Sequence, residues 1–198
     1  MGAILQSLGR TIVAGLVVLV VIIVAANGVY GGGARLGDHS WWAFVIRWLH
    51  VASGVMWIGL LWYFNFVQIP SMPKIPDEQK PAIGKVIAPT ALFWFRWAAL
   101  STVVTGLIVA SMFGYLGSAL MLTKGVHAIG IGMWLALVMA FNVWFIIWPN
   151  QQKALGLVEV EPSAKAAAAK MAAMTSRFNT MFSIPMLFCM VAQQNGGL

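Results

Sequence analysis

The chain has 198 residues, of which 61% are hydrophobic and 9% charged, and its mean hydropathy is +0.86. That balance excludes an ordinary water-soluble domain and makes lipid the main solvent. The formal charge of +7 does not point to nucleic acid, because the basic residues sit between apolar runs and form no stripe interleaved with aromatics.

Five apolar runs are long enough to cross the roughly 30 Å hydrocarbon layer as helices. They lie at about residues 11–30, 41–67, 90–115, 125–148 and 179–194. The expectation is one all-α transmembrane domain over residues 1–198, a bundle of five membrane-spanning helices. The first run follows Arg10 and also resembles a signal peptide, with Ala25 and Ala26 near a cleavage point; we count it as a retained membrane helix. Gly31, Gly32 and Gly33 open a short turn through Arg35, Asp38 and His39. Between the second and third spans, Pro70, Pro73, Pro76, Pro81 and Pro89 argue against a straight helix and for an ordered loop outside the membrane. Residues 117–124 form a brief connection. Ala164 to Ala173, preceded by Pro162 and Ser163, is a strong helix former expected to lie at the surface. The fifth span is the shortest, and its Pro185 removes a backbone donor that neighbouring helices must compensate; without this span, four remain.

Lysine and arginine are retained on the cytoplasmic side. Arg10, Lys74, Lys80, Lys85, Lys153, Lys165, Lys170 and Arg177 share one face, against Arg35 and Lys124 on the other. The amino terminus is therefore expected in the cytoplasm and, with five spans, the carboxy terminus in the periplasm. Trp41, Trp42 and Trp148 flank spans and fit interfacial belts.

The second span carries unusual polarity. At about 100° per residue, Arg47, His50, Gly54, Ile58, Leu61 and Asn65 fall along one face, with Trp57 beside it. Such a stripe needs protein partners and points into the bundle. A neutral imidazole is a common ligand of haem iron and copper, whereas a buried histidine can equally donate to a carbonyl of another helix; both readings of His50 stay open. His127 begins the fourth span from the same side, so His50 and His127 could bridge a b-type haem, with Arg47 on a propionate. The alternative for His127 is an interfacial residue. Cys189 is the lone cysteine, so a Cys-x-x-Cys-His attachment is excluded and any haem is non-covalent.

His39 reads as solvated, with a role as accessory metal ligand as the alternative. Arg96 can snorkel to headgroups or bind an anionic group. Asn65, Asn142 and Asn179 read as interhelical glue. Met186 and Met190 have a spacing that could offer thioethers to Cu(I), although core packing accounts for them as well. The run Phe93, Trp94, Phe95 and Trp97 can face lipid or another subunit. All five acidic residues lie in loops, and no paired nucleophile or carboxylate pair suggests hydrolysis or group transfer.

The stretches Arg47-Trp48-Leu49-His50 and Gly54-Val55-Met56-Trp57-Ile58-Gly59 resemble the signature helix of the membrane domain of bacterial membrane-bound urate oxidases. Phe141-Asn142-Val143-Trp144, Trp148-Pro149-Asn150-Gln151, Ser176-Arg177-Phe178-Asn179-Thr180 and Ser183-Ile184-Pro185 are similar to that domain too, so the likeness runs from about Trp41 to Met190. A looser likeness, confined to His-x-x-x-Gly-x-x-Trp-x-Gly, extends to copper-resistance D proteins and membrane protoporphyrinogen oxidases. The resemblance implies a bacterial inner membrane, cytoplasmic or intracytoplasmic, and a redox setting, because the full-length urate oxidases carry a carboxy-terminal cytochrome c domain. Urate oxidation enters only through that resemblance.

The first functional expectation is a membrane electron-transfer subunit rather than a stand-alone enzyme. It binds b-type haem, with copper as the alternative metal, through His50 and His127, with Arg47 and Trp57 in the site, and works with a separate cytochrome or dehydrogenase. The alternative is a cofactor-free structural subunit of a larger membrane complex, in which Arg47 and His50 serve packing alone. Copper or small-molecule transport is a third reading.

Overall fold

A computed structural model describes residues 2–31 and 35–198, and every regular element among them is helical. Gly32 and Gly33 of the expected turn lie outside the described residues. The contacts divide the chain into two units, residues 1–45 and 46–198.

In the first unit, α1 (Leu8–Tyr30) is apolar all round, and none of its most hydrophobic stretch is buried against protein. Such a helix satisfies its backbone internally and leaves its side chains to lipid. It ends at Gly31, whose φ of 62° is the left-handed cap that lacks a Cβ penalty. Beyond it, the Trp42 indole donates to the Leu36 carbonyl at 2.8 Å. α2 (His39–Trp62) begins here and runs on into the second unit.

The second unit holds α3 (Ala88–Met112), a short α4 (Leu116–Leu120), α5 (His127–Phe141), α6 (Trp148–Ala154) and α7 (Pro162–Asn195). The expected proline loop is largely helical. The rod beginning with α2 continues to Lys74, and the one ending with α3 begins at Lys80. The physical reason lies in three π-helical stretches, Tyr63–Gln68, Ile83–Ile87 and Asn142–Ile147, each just ahead of a proline. Proline crowds the carbonyl four residues earlier. Those residues, Phe66, Lys85 and Phe145, fall inside the widened turns, which make room without ending the helix. At the remaining bend, Asp77 accepts from Lys80 at 2.5 Å, and this bond holds its carboxyl below the usual carboxylate range.

Among the described residues, four helices are long and apolar enough to cross a membrane: Leu8–Val29, His39–Lys74, Lys80–Met112 and His127–Ala154. The expected fifth span is not one of them. The alanine-rich segment and residues 179–194 join in α7, a single helix of 34 residues, roughly 50 Å long at 1.5 Å per residue. Its buried stripe reads Ala168, Ala172, Ser176, Asn179, Ser183, Met186 and Cys189, at the three- and four-residue spacing of one helix face. Small and polar residues on that face lower its hydropathy, and they turn to protein.

The core of this unit gathers Trp57, Leu61, Phe64, Leu92, Phe95, Ala99, Met139, Val143, Ile147 and Met186. Polar bonds tie α7 into it. Asn142 donates to the Asn179 carbonyl oxygen at 2.8 Å, and Asn179 donates to the Met139 backbone at 2.9 Å. Trp62 donates to Ser183 at 2.9 Å, and Asn65 to Ser176 at 2.8 Å. The three asparagines thus act between helices, as their positions suggested. At Gly132 a Cβ would lie 3.2 Å from that of Cys189, so α5 and α7 pack closely there.

Asn179 is fully enclosed, and truncating it leaves the Asn142 side-chain amide without its acceptor and removes the second donor to the Met139 carbonyl, which keeps the Asn142 backbone N–H. Asn179→Ala is expected to cost about 1–2 kcal/mol, read as a lower Tm in thermal unfolding of the detergent-solubilised chain. Met181→Ala, at an exposed position two residues on, is expected to leave the Tm unchanged.

Candidate functional site

The polar stripe of α2 faces inward as its periodicity requires. Trp57, Ile58 and Leu61 are buried and Arg47 and His50 half-buried, while Trp48, Leu49, Val51, Val55 and Met56 are exposed. The upper part of this stripe lines a cavity of about 630 Å³ between α2, α3, α5 and α7. Its volume falls within the ~300–1,000 Å³ of small-molecule and cofactor sites. Arg47, His50, Gly54 and Trp57 form one wall, Thr102 and Gly106 the next, and Met133, Met186 and Met190 the far side.

His50 is fixed by α3. Its Nδ1 lies 2.8 Å from the Thr102 carbonyl oxygen, and because a carbonyl can only accept, Nδ1 carries the proton. Nε2 is then the acceptor nitrogen, the tautomer that metal-ligating histidines adopt when a carbonyl orients them. Gly106 makes the pose sterically feasible, since a Cβ there would lie 2.8 Å from Cε1 and 3.0 Å from Nδ1 of the ring. Ser53 and Ser101 share a hydrogen bond at 2.9 Å and hold the two helices together beside the imidazole.

Arg47, one turn before His50, stacks its guanidinium 4.3 Å over the Phe113 ring, and Phe113 in turn stacks on Tyr115. Burial raises the Tyr115 hydroxyl above its ordinary range, with the Arg47 charge opposing, so the residue is a neutral phenol at the cavity wall. Trp57 is fully buried, and its indole N–H has no acceptor among the described residues. An enclosed donor without a partner beside an apolar cavity favours a guest that brings an acceptor.

The geometry brings together Arg47, His50 and Trp57 but not His127. His127 opens α5 and does not line the cavity, so the cavity receives one imidazole where two were expected. A shared direction of membrane entry equalises the depth of two helices, not the facing of their side chains. His39 is exposed at the start of α2. Met186 and Met190 both reach the cavity, joined by Met133 from α5 and by Tyr115, which the sequence reading did not single out. Among the described residues, no group of three or more His, Cys, Asp or Glu is placed to hold a metal ion.

The Gly106 contact is testable. Gly106→Ala is expected to drive the His50 ring off the Thr102 carbonyl at a cost of about 1–2 kcal/mol, seen as a lower Tm. Gly59→Ala adds its Cβ in open space and is expected to be neutral or stabilising by up to ~1 kcal/mol.

The urate oxidase N-terminal family model matches residues 119–196, which bears out the resemblance read from the sequence over that stretch. The match takes in α5 to α7 and thus the methionine wall of the cavity, whereas Arg47, His50 and Trp57 precede it. No curated protein and no solved structure matches the chain.

Proposed function

We propose, taking the urate oxidase N-terminal match as premise, that the chain is an electron-transfer subunit of a bacterial inner membrane that holds a b-type haem in the α2–α3–α5–α7 cavity. The observation that carries this reading is His50, whose Nδ1 is committed to the Thr102 carbonyl while the residue lines a mostly apolar cavity. His50 would hold the haem iron through Nε2, and Arg47 would offer its guanidinium to a propionate. The buried Trp57 N–H supplies a donor, and the apolar wall excludes water. A haem bound there supplies one-electron transfer. His127 takes no part, because it lies off the cavity lining. The lysine and arginine asymmetry supports an amino terminus in the cytoplasm, and the electron partner in this reading is a separate cytochrome or dehydrogenase.

Copper is the second reading. Met133, Met186 and Met190 line the same cavity as His50, and soft thioethers beside an imidazole suit Cu(I).

Absorption spectroscopy and metal analysis of the purified chain distinguish these readings. A Soret band that vanishes in His50→Ala is expected. Copper without a Soret band, lost in Met186→Leu, selects the second reading; a colourless, metal-free preparation reduces His50 to helix packing and overturns both.

A further inference from the structure

A second polar cluster lies away from the cavity, around Arg96 of α3. This arginine sits inside Lys80–Met112, a segment apolar enough to cross a membrane, where a charged side chain is costly and by default marks a function. Its guanidinium carbon lies 3.7 Å from the Trp148 ring centroid and 5.3 Å from that of Trp144, an aromatic cradle that holds the cation without neutralising it.

The hydrogen-bonding pattern is one-sided. Arg96 Nε and Nη1 and Trp144 Nε1 are all buried, and none has an acceptor among the described residues. Arginine and tryptophan side chains can only donate, so three enclosed donors on touching residues await an acceptor that this part of the chain does not supply. The Asp77–Lys80 pair is the ion pair among the described residues, and no carboxylate reaches Arg96. The buried oxygens of Asn65 and Gln68 are also without partners and so make no bond to it. Arg96 is only half-buried. Its Nη2 is not among the enclosed atoms, and each open edge of a guanidinium pairs Nη2 with one of the other two nitrogens, the fork that oxyanions engage.

The surroundings indicate where the oxyanion comes from. Phe93, Trp94 and Trp97 are exposed beside the cluster, and Trp97 packs edge-on against Trp144 at 5.4 Å. Exposed tryptophans of this kind settle at the headgroup level of a bilayer. We infer that Arg96, Trp144 and Trp148 form a site for the phosphate of an anionic phospholipid headgroup, with Arg96 as the charged donor and the Trp144 N–H as a further one.

Native mass spectrometry of the full chain in mild detergent, with added phosphatidylglycerol or phosphatidylcholine, tests this site. Wild type is expected to retain phosphatidylglycerol preferentially. Arg96→Gln is expected to weaken that retention about tenfold, as loss of a hydrogen-bonded charge implies, and Arg96→Lys to restore it in part. Trp144→Phe keeps an aromatic face but removes the indole donor; its smaller loss, about threefold, provides the reading if Arg96→Gln fails to fold. Inorganic phosphate forms the second arm. If phosphate raises the Tm of wild type but not of Arg96→Gln while no lipid is retained, the oxyanion site stands and its ligand is soluble. Equal retention of both lipids together with no response to phosphate, or retention unchanged in both Arg96→Gln and Trp144→Phe, overturns the proposal.

Discussion

The bond from Asn179 to the Met139 carbonyl, and the bond Asn179 receives from Asn142, express the constraint on which the second unit depends. Apolar surface gains little by leaving one hydrocarbon for another, so helix association in lipid relies on close packing and satisfied polar groups. α7 meets that requirement along its length with small residues and with Ser176, Asn179 and Ser183. Gly132 then lets α5 approach, and α2 is tied to the same face through Trp62 and Asn65. The cavity exists because these contacts fix four helices while glycine and alanine positions between them leave space.

The same logic accounts for what the sequence made legible. Length and apolarity identified α1, α2, α3 and α5 directly, and the period of α2 placed Arg47, His50, Trp57 and Leu61 toward protein. The sequence divides α7 into a surface helix and a short fifth span, whereas it is one helix outside the four long and apolar enough to cross a membrane, because its buried face is small and polar. The prolines misled for a related reason: they forbid a regular α-turn, yet a wider turn accommodates them, and composition alone does not separate the two outcomes.

Within the site, a single helix period was enough to place Arg47 and His50, but pairing His50 with His127 required the rotation of α5 relative to α2. That rotation is set by contacts such as Gly130 against α4 and Gly132 against α7, which no local pattern encodes. Met133 went unremarked because an isolated methionine in an apolar helix carries no signal until its neighbours are known. Gly106 is a similar case: its value is the room it leaves for a ring arriving from another helix.

The three widened turns, at residues 63–68, 83–87 and 142–147, lie toward one end of the bundle, as the Phe64–Phe95 and Arg96–Trp148 contacts require. Arg47, His50 and Gly106 lie toward the other. Turns of this kind give up ideal backbone geometry, so the lysine-bearing pole carries the irregular helix turns, while the helices at the pole holding the imidazole run in unbroken α-turns. Departure from regular backbone is thus confined to one pole while the cavity walls at the other stay regular, a division written by where the prolines fall.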